Sequence, residues 1–243
     1  MSALAAGRER GEGPLAPVLR RVLEDGEVNS YVRPAIDTPV FRDADGRIIE
    51  YGKRWRESPP PEVTYSVDSH PERFAPLHAV ADALIAYLRD AYDVEVVEGE
   101  AAAADLLRPA PETLRAVRIR PNDPACAAVT IVFTAYPGII MHAGLLQDFR
   151  YPVCGCDACD SNWEMEADEL EQQVLAVVTG HYRERIERGL RPRVEYAFTY
   201  PNGGASGRSR PQDLPPERVP AAKPILRRLI KGWAAWPRAA PKP

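Results

Sequence analysis

Two stretches of the chain carry apolar residues at the three- to four-residue spacing that places them on one face of a helix. In the first stretch, Ser69 and Glu72 have the spacing of a capping box, and the apolar face comprises Phe74, Leu77, Ala81, Leu84 and Leu88. In the second, Ser161 and Glu164 form a similar pair, and the apolar face comprises Trp163, Leu170, Val174, Val177 and Val178. The predicted end of this second helix, where cations suit the helix dipole, carries Arg183, Arg185 and Arg188.

Short runs rich in β-branched and aromatic residues predict strands between and after these helices. They lie at residues 94–97, 116–120, 127–135, 139–145 and 193–200. A hairpin is also predicted at residues 39–52, around an Asp-Gly turn. Strands that follow one another directly favour antiparallel pairing. The sequence therefore predicts an α+β fold: a mostly antiparallel sheet of about five strands with two main helices packed on one face.

The chain contains 25 prolines, many of them near its two ends, and this distribution indicates three parts. Residues 1–26 are predicted as an N-terminal arm that is disordered or holds a short helix. Residues 27–200 are predicted as a single α+β domain, a normal size for one core. Residues 201–243 are predicted as a Pro- and Arg-rich basic tail, with a linker up to residue 220 and a short amphipathic helix at 221–236.

The formal net charge of −4 is divided unevenly along the chain. Residues 201–243 contain nine basic and two acidic residues and carry +7, which leaves −11 for residues 1–200. A basic tail on an acidic body folds back onto its own domain, stays disordered, or binds an anionic partner such as an anionic membrane surface. The acidic body argues against nucleic acid as that partner.

The sequence predicts no transmembrane segment. No stretch reaches the roughly 18–20 apolar residues that a membrane-spanning helix needs. The first residues, MSALAAGRERGEG, lack the apolar core of a signal peptide. We therefore expect a cytoplasmic location, where thiols stay mostly reduced.

Three of the four cysteines form a C-x-C-x-x-C cluster: Cys154, Cys156 and Cys159. Thiolates at this close spacing are typical zinc ligands, and a structural zinc site needs four ligands. We predict Cys126 as the fourth, because counting back from a turn at Pro137-Gly138 places it at the sheet end from which the cluster emerges. The local oxygen alternatives are Asp157 and Asp160.

Two other interpretations of the cluster remain open. A redox pair would use Cys156 and Cys159, but the surrounding carboxylates would raise the pKa of these thiols and make them poor nucleophiles. The cluster would otherwise be reduced thiols without a function. The sequence contains no phosphate-binding loop, no G-x-G-x-x-G, no H-E-x-x-H and no G-x-S-x-G. An enzyme would therefore need an active site assembled between sheet and helices, from groups such as His142.

Three segments carry a resemblance to a known family: SHPERFAPLHAVADALI (69–85), YPVCGCDACD (151–160) and EMEADELEQQVLAVV (164–178). Together they resemble an uncharacterised bacterial family, domain of unknown function 6226, over roughly residues 27–200. The resemblance implies a single domain and brings no activity with it. We therefore expect a non-enzymatic cytoplasmic protein whose cysteine loop holds a structural zinc. The alternatives are an enzyme with an unidentified active site, and tail-driven binding to an anionic partner.

Overall fold

The computed structural model of the chain describes residues 31–240, except Pro111, Arg188 and Leu190. The short helix predicted in the N-terminal arm lies outside the described residues. Within the described residues the α+β class is confirmed, because two antiparallel sheets and a few helices form a single domain.

The first sheet has five strands in the order of the sequence: β1 (Val94–Glu98), β2 (Thr113–Pro121), β3 (Val129–Thr134), β4 (Gly138–Ala143) and β5 (Gln147–Tyr151). Each strand pairs antiparallel with the next. The sequence predicted the first four strands but not β5. Three of the five residues in the QDFRY segment are polar, so the apolar alternation that indicated the other strands is weak here.

The second sheet has three antiparallel strands: β6 (Tyr182–Glu187), β7 (Arg193–Tyr200) and β8 (Gly203–Ser209). The prediction that a helix ends among residues 183–188 was wrong. Gly180 has a φ of +77°, which suits the end of a helix, and the chain then turns into β6. Buried Tyr182 and Glu184 alternate with exposed Arg183 and Arg185 in this strand.

The helices are α1 (Pro76–Ala91), α2 (Glu100–Ala103), α3 (Trp163–Val178) and α4 (Arg218–Leu226). Helix α1 packs against the first sheet and against α3, and α3 also contacts β5 and β7 of the two sheets. The apolar faces predicted for α1 and α3 lie in the main core, where Leu77, Leu84, Leu170 and Val174 are fully buried. A smaller cluster on the opposite face of the first sheet comprises Ala102, Leu106, Ala116, Val132 and Ile140.

The segment after Tyr200 packs against the rest of the molecule. Strand β8 occupies the first part of the predicted linker, and α4 is shorter than the helix predicted at 221–236. Trp233 and Trp236 are only 5% and 4% exposed, and the Trp236 indole donates to the Ala127 carbonyl at 2.8 Å. The described part of the basic tail therefore folds back onto its own domain. None of the described helices combines the length and apolar character required to cross a bilayer.

Candidate metal centre

The cysteine cluster lies in the loop that connects β5 to α3. Asn162 caps α3 by accepting a hydrogen bond from the Met165 backbone at 3.0 Å, so the helix cap is Asn162 and not the predicted Ser161. The Ser161 hydroxyl instead donates to the Cys154 carbonyl at 3.3 Å, inside the loop. The loop is thus fixed at one end by the sheet and at the other by the helix cap.

The three sulfur atoms of the cluster converge. The Sγ atoms of Cys154 and Cys156 are 3.3 Å apart, those of Cys156 and Cys159 are 3.4 Å apart, and all three lie within 4.8 Å of one another. All are free thiols. Tetrahedral zinc with Zn–S bonds of about 2.3 Å separates its sulfur ligands by about 3.8 Å. The observed group therefore needs only small movements to hold a metal ion.

Cys156 forms the inner corner of the group and is 8% exposed, whereas Cys154 and Cys159 are exposed. Burial alone would raise the pKa of Cys156. Hydrogen bonds from the neighbouring thiols and from the backbone N–H groups of Cys159 and Ser66 outweigh burial, and the pKa of Cys156 lies below its ordinary value. Donors aimed at a sulfur favour its thiolate form, which is the form that binds metals.

Cys159 differs from Cys156. Although Cys159 is exposed on one side, partial desolvation of its sulfur, together with the hydrogen bonds and charges of Cys154 and Cys156, raises the pKa of Cys159 to about 12. The sequence attributed raised thiol pKa values to nearby carboxylates. In the structure the causes are partial desolvation and the other two sulfurs, and the Asp157 and Asp160 carboxylates bind serine and arginine.

Arg73 is a buried side chain that fixes the cysteine loop through hydrogen bonds. Its guanidinium donates to the carbonyls of His70 at 2.9 Å, Gly155 at 2.6 Å and Ser161 at 3.1 Å. Arg73 is 2% exposed, and its guanidinium carbon lies 4.2 Å from the centre of the Tyr51 ring. A buried arginine with a planar fork of donors fixes several carbonyls at once. Two of these carbonyls belong to the cysteine loop.

A second set of backbone contacts holds the turn between Cys156 and Cys159. The Asp157 N–H donates to the Val67 carbonyl at 2.7 Å, and the Ala158 N–H donates to the Thr64 carbonyl at 3.0 Å. From the other side, Arg54 donates to the Asp157 carbonyl at 2.6 Å. The turn is therefore clamped between two earlier segments of the chain.

The predicted oxygen ligands are occupied by these contacts. The Asp157 carboxylate accepts from the Ser69 hydroxyl, and the Asp160 carboxylate accepts from the Arg54 backbone N–H at 2.8 Å and from its side chain. Neither carboxylate belongs to the group of converging ligand atoms. They orient the loop and do not face the sulfurs as ligands.

Cys126 is not brought to the cluster. Its Sγ donates to the Ala235 carbonyl at 3.2 Å, and burial raises its pKa. The chain reverses after β4, and β5 carries it back toward the Gly138 turn, where Ile139 pairs with Tyr151. Cys126 precedes β3 at the opposite end of the sheet, where Val129 pairs with Ala143. The counting argument misplaced Cys126 because it did not include β5.

The histidines also lie away from the cluster. His142 alternates with Met141 and Ala143 of the main core, so it lies on the sheet face opposite α1 and α3, and its Nδ1 is 2.7 Å from Asp148. It therefore lies on the face that α2 covers, and not between the first sheet and the two main helices α1 and α3. The partners of His70, His78 and His181 are Glu72, the Gly138 carbonyl and Thr179.

The sequence did not identify the residues that support the loop. Arg73 is one charged residue in a helix-start pattern, and Arg54 and Tyr51 precede the cluster by about a hundred residues. The only signal was indirect, since Arg73 falls within the segment 69–85 that carries the family resemblance.

Comparison with known proteins gives one match. A protein-family model described as a family of unknown function (DUF6226) matches residues 37–240. The match confirms the resemblance and extends it beyond residue 200, over the segment that carries Trp233 and Trp236. No curated protein and no solved structure matches the chain.

Proposed function

We propose that this chain, which belongs to the family of unknown function DUF6226, binds one zinc ion through Cys154, Cys156 and Cys159. The family description names no activity. The observation that carries the proposal is the convergence of the three sulfur atoms within 4.8 Å. Soft thiolate ligands select zinc over the hard cations magnesium and calcium.

The surroundings of the sulfurs support the same proposal. Backbone N–H groups of Ser66 and Cys159 already donate to Cys156, so part of the negative charge of a thiolate is compensated before an ion arrives. The loop is held by Arg73 and Arg54 in the conformation that brings the sulfurs together. A site that is preorganised in this way loses less entropy on binding.

The ion would stabilise the connection between the first sheet and α3. Because the three ligands lie in one short loop, zinc would close that loop and stiffen the path from Tyr151 to Trp163. Anything that binds the folded chain and not the unfolded chain adds to its stability by mass action. The proposed role is therefore binding and stabilisation, not catalysis.

The test combines metal content with stability. The triple Cys→Ser variant at positions 154, 156 and 159 should lose zinc, and chelation of the wild-type chain should lower its free energy of unfolding. With free zinc at a thousand times Kd, the loss is about 4 kcal/mol. Urea unfolding with and without chelator measures it.

Cys126→Ser is the matched control. The serine hydroxyl keeps a donor toward the Ala235 carbonyl and leaves the three converging sulfurs untouched. This variant should retain zinc and its response to chelator. Equal melting of the wild-type chain with and without chelator, together with no bound zinc, would refute the proposal.

A further inference from the structure

The cluster supplies three ligands, and no other thiol or imidazole of the chain lies beside it. The sequence contains four cysteines and four histidines, and all eight lie among the described residues. Cys126 is at the other end of the sheet, and each histidine has a partner elsewhere. Asp157 and Asp160 bind Ser69 and Arg54. Among the described residues only the three cysteine sulfurs converge as ligand atoms, so a tetrahedral ion held by them would keep one position for a further ligand.

Exposed apolar side chains lie on the segments next to the outer sulfurs, with the Asp68 carboxyl hydrogen-bonded to Tyr136 among them. The Cys154 and Cys159 thiols are exposed. The segments adjacent to the loop carry what we call the apolar rim, which comprises Val63, Tyr65, Val67, Tyr136 and Val153, with exposed fractions of 81%, 52%, 43%, 36% and 65%. Its members are adjacent to the loop, since the Thr64 and Val67 carbonyls accept from Ala158 and Asp157, and the Tyr136 hydroxyl packs on Gly155.

We propose that the fourth position binds a low-molecular-weight thiol whose organic part contacts the apolar rim. This inference rests on the proposed zinc site. A centre with three thiolates is soft and favours a fourth soft ligand over a carboxylate. Apolar side chains beside the site would shelter the hydrocarbon part of such a ligand from water. The site then serves to bind a thiol and present its sulfur as a thiolate.

Binding of the thiol changes only its protonation. The thiol coordinates through sulfur and its proton passes to solvent, because a thiol bound to a divalent metal is deprotonated. No electron is transferred, and no bond between heavy atoms of the ligand breaks. The step needs no oxidant or second substrate.

The experiment uses the full-length chain loaded with cobalt(II), which replaces zinc in tetrahedral sites and gives thiolate-to-metal absorption bands. Titration with 2-mercaptoethanol should raise this absorption by about one third, from three sulfur ligands to four, and saturate. Ethylene glycol, which has the same frame without sulfur, should cause no change. Cobalt content and molecular mass are measured on the same samples.

A variant tests the part of the inference that concerns the rim. Phenylmethanethiol should bind the wild-type chain more tightly than 2-mercaptoethanol, and the double variant Tyr65→Ser/Val153→Ser should reduce that preference about threefold to tenfold. The control is Ile230→Ser, since Ile230 is 92% exposed in the C-terminal segment, which packs at the Cys126 end of the first sheet, where Ala234 donates to the Ala125 carbonyl. It should keep the wild-type preference.

The outcomes separate the two proposals. If the chain does not bind cobalt, the metal site itself fails, and the thiol site fails with it. If cobalt binds with three-sulfur absorption that 2-mercaptoethanol does not change, the metal site stands and the thiol inference is overturned. It is also overturned if a dimer shows four-sulfur absorption before any thiol is added, because a second copy of the chain then supplies the ligand.

Discussion

At the scale of single residues, Arg73 connects the core to the cysteine loop. It is 2% exposed and donates to three carbonyls, two of them in the loop. The charge is balanced in part by Asp157, whose carboxylate lies 4.0 Å away. A buried charge that loses its partners is expensive, and so are carbonyls that lose their donor.

Arg73→Met should lower the free energy of unfolding by about 3–5 kcal/mol, because Asp157 and the three carbonyls lose their cationic donor. It should also weaken zinc binding, since the loop is no longer held. Urea unfolding and zinc titration measure the two effects.

Arg120→Met is the matched control for Arg73. The Arg120 side chain is 60% exposed and pairs with exposed Glu95, so its loss should cost no more than about 1 kcal/mol. If the two substitutions destabilise the chain equally, Arg73 does not have the role assigned to it.

Glu184 is a second buried charge, on β6, and it joins three parts of the chain. Its carboxylate accepts from the backbone N–H groups of Leu145 at 3.0 Å and Leu146 at 2.7 Å and from the Trp233 indole at 3.1 Å. Burial raises the pKa of Glu184 to about 6, although these donors and His142 act in the opposite direction. The folded state therefore holds this proton more tightly than the unfolded state does.

This shift predicts a pH dependence of stability. The protonated form stabilises the folded chain fully below the unfolded pKa of 4.5, and this contribution is lost as the pH rises through about 6. The loss amounts to about 2 kcal/mol. Unfolding free energies are measured from pH 4.5 to 7 for the wild-type chain and for Glu184→Gln. The two should converge at the acidic end, where Glu184 is neutral like glutamine, and differ at the neutral end. Parallel curves would contradict the shift.

At the scale of elements, the sequence predicted the helices and strands that have regular apolar spacing and missed the strands that lack it. The faces of α1 and α3 and strands such as β7 follow from regular spacing of buried residues. Strand β5 is mostly polar, and β8 reads GGASGRS, so neither carries that signal. The cysteine cluster could be found because its spacing is local. Its support could not, because Arg54 and Arg73 reach it only through tertiary contacts.

The C-terminal segment was predicted as a linker and a basic tail, but in the structure it packs into the domain. The Trp233 N–H donates to the Tyr182 carbonyl at 3.2 Å, and Trp236 enters the main core beside Tyr92. Sequence pattern placed these tryptophans on a helix face, whereas they lie beyond α4, after Gly232 with its φ of +96°. Their apolar surface is used within the chain.

Trp236→Ala should lower the free energy of unfolding by about 3–5 kcal/mol, because it removes a buried aromatic side chain and leaves the Ala127 carbonyl without its donor. Ile230→Ala, six residues earlier and 92% exposed, should change stability by less than about 0.5 kcal/mol. Thermal unfolding of both variants checks the difference. A small effect of Trp236→Ala would mean that the segment is not part of the cooperative core.

At the scale of the whole molecule, two sheets and the C-terminal segment enclose one main core, and the cysteine loop lies at one end of the first sheet. The basic segment packs against the acidic body through its two tryptophans and through the ion pair of Arg208 with Glu195, while Lys223, Arg227 and Arg228 stay exposed. The loop, with its exposed outer thiols and apolar rim, is the part of the described surface where we place the function.

The most direct measurement is the zinc content of the purified full-length chain, with thiol reactivity determined on the same sample. The proposed site requires about one zinc per chain and no rapidly reacting thiols, because Cys154, Cys156 and Cys159 are metal-bound and Cys126 is buried. Chelation should then release the exposed Cys154 and Cys159 thiols for fast reaction. A chain without zinc, in which these two thiols react at once, would contradict the metal site and the function built on it.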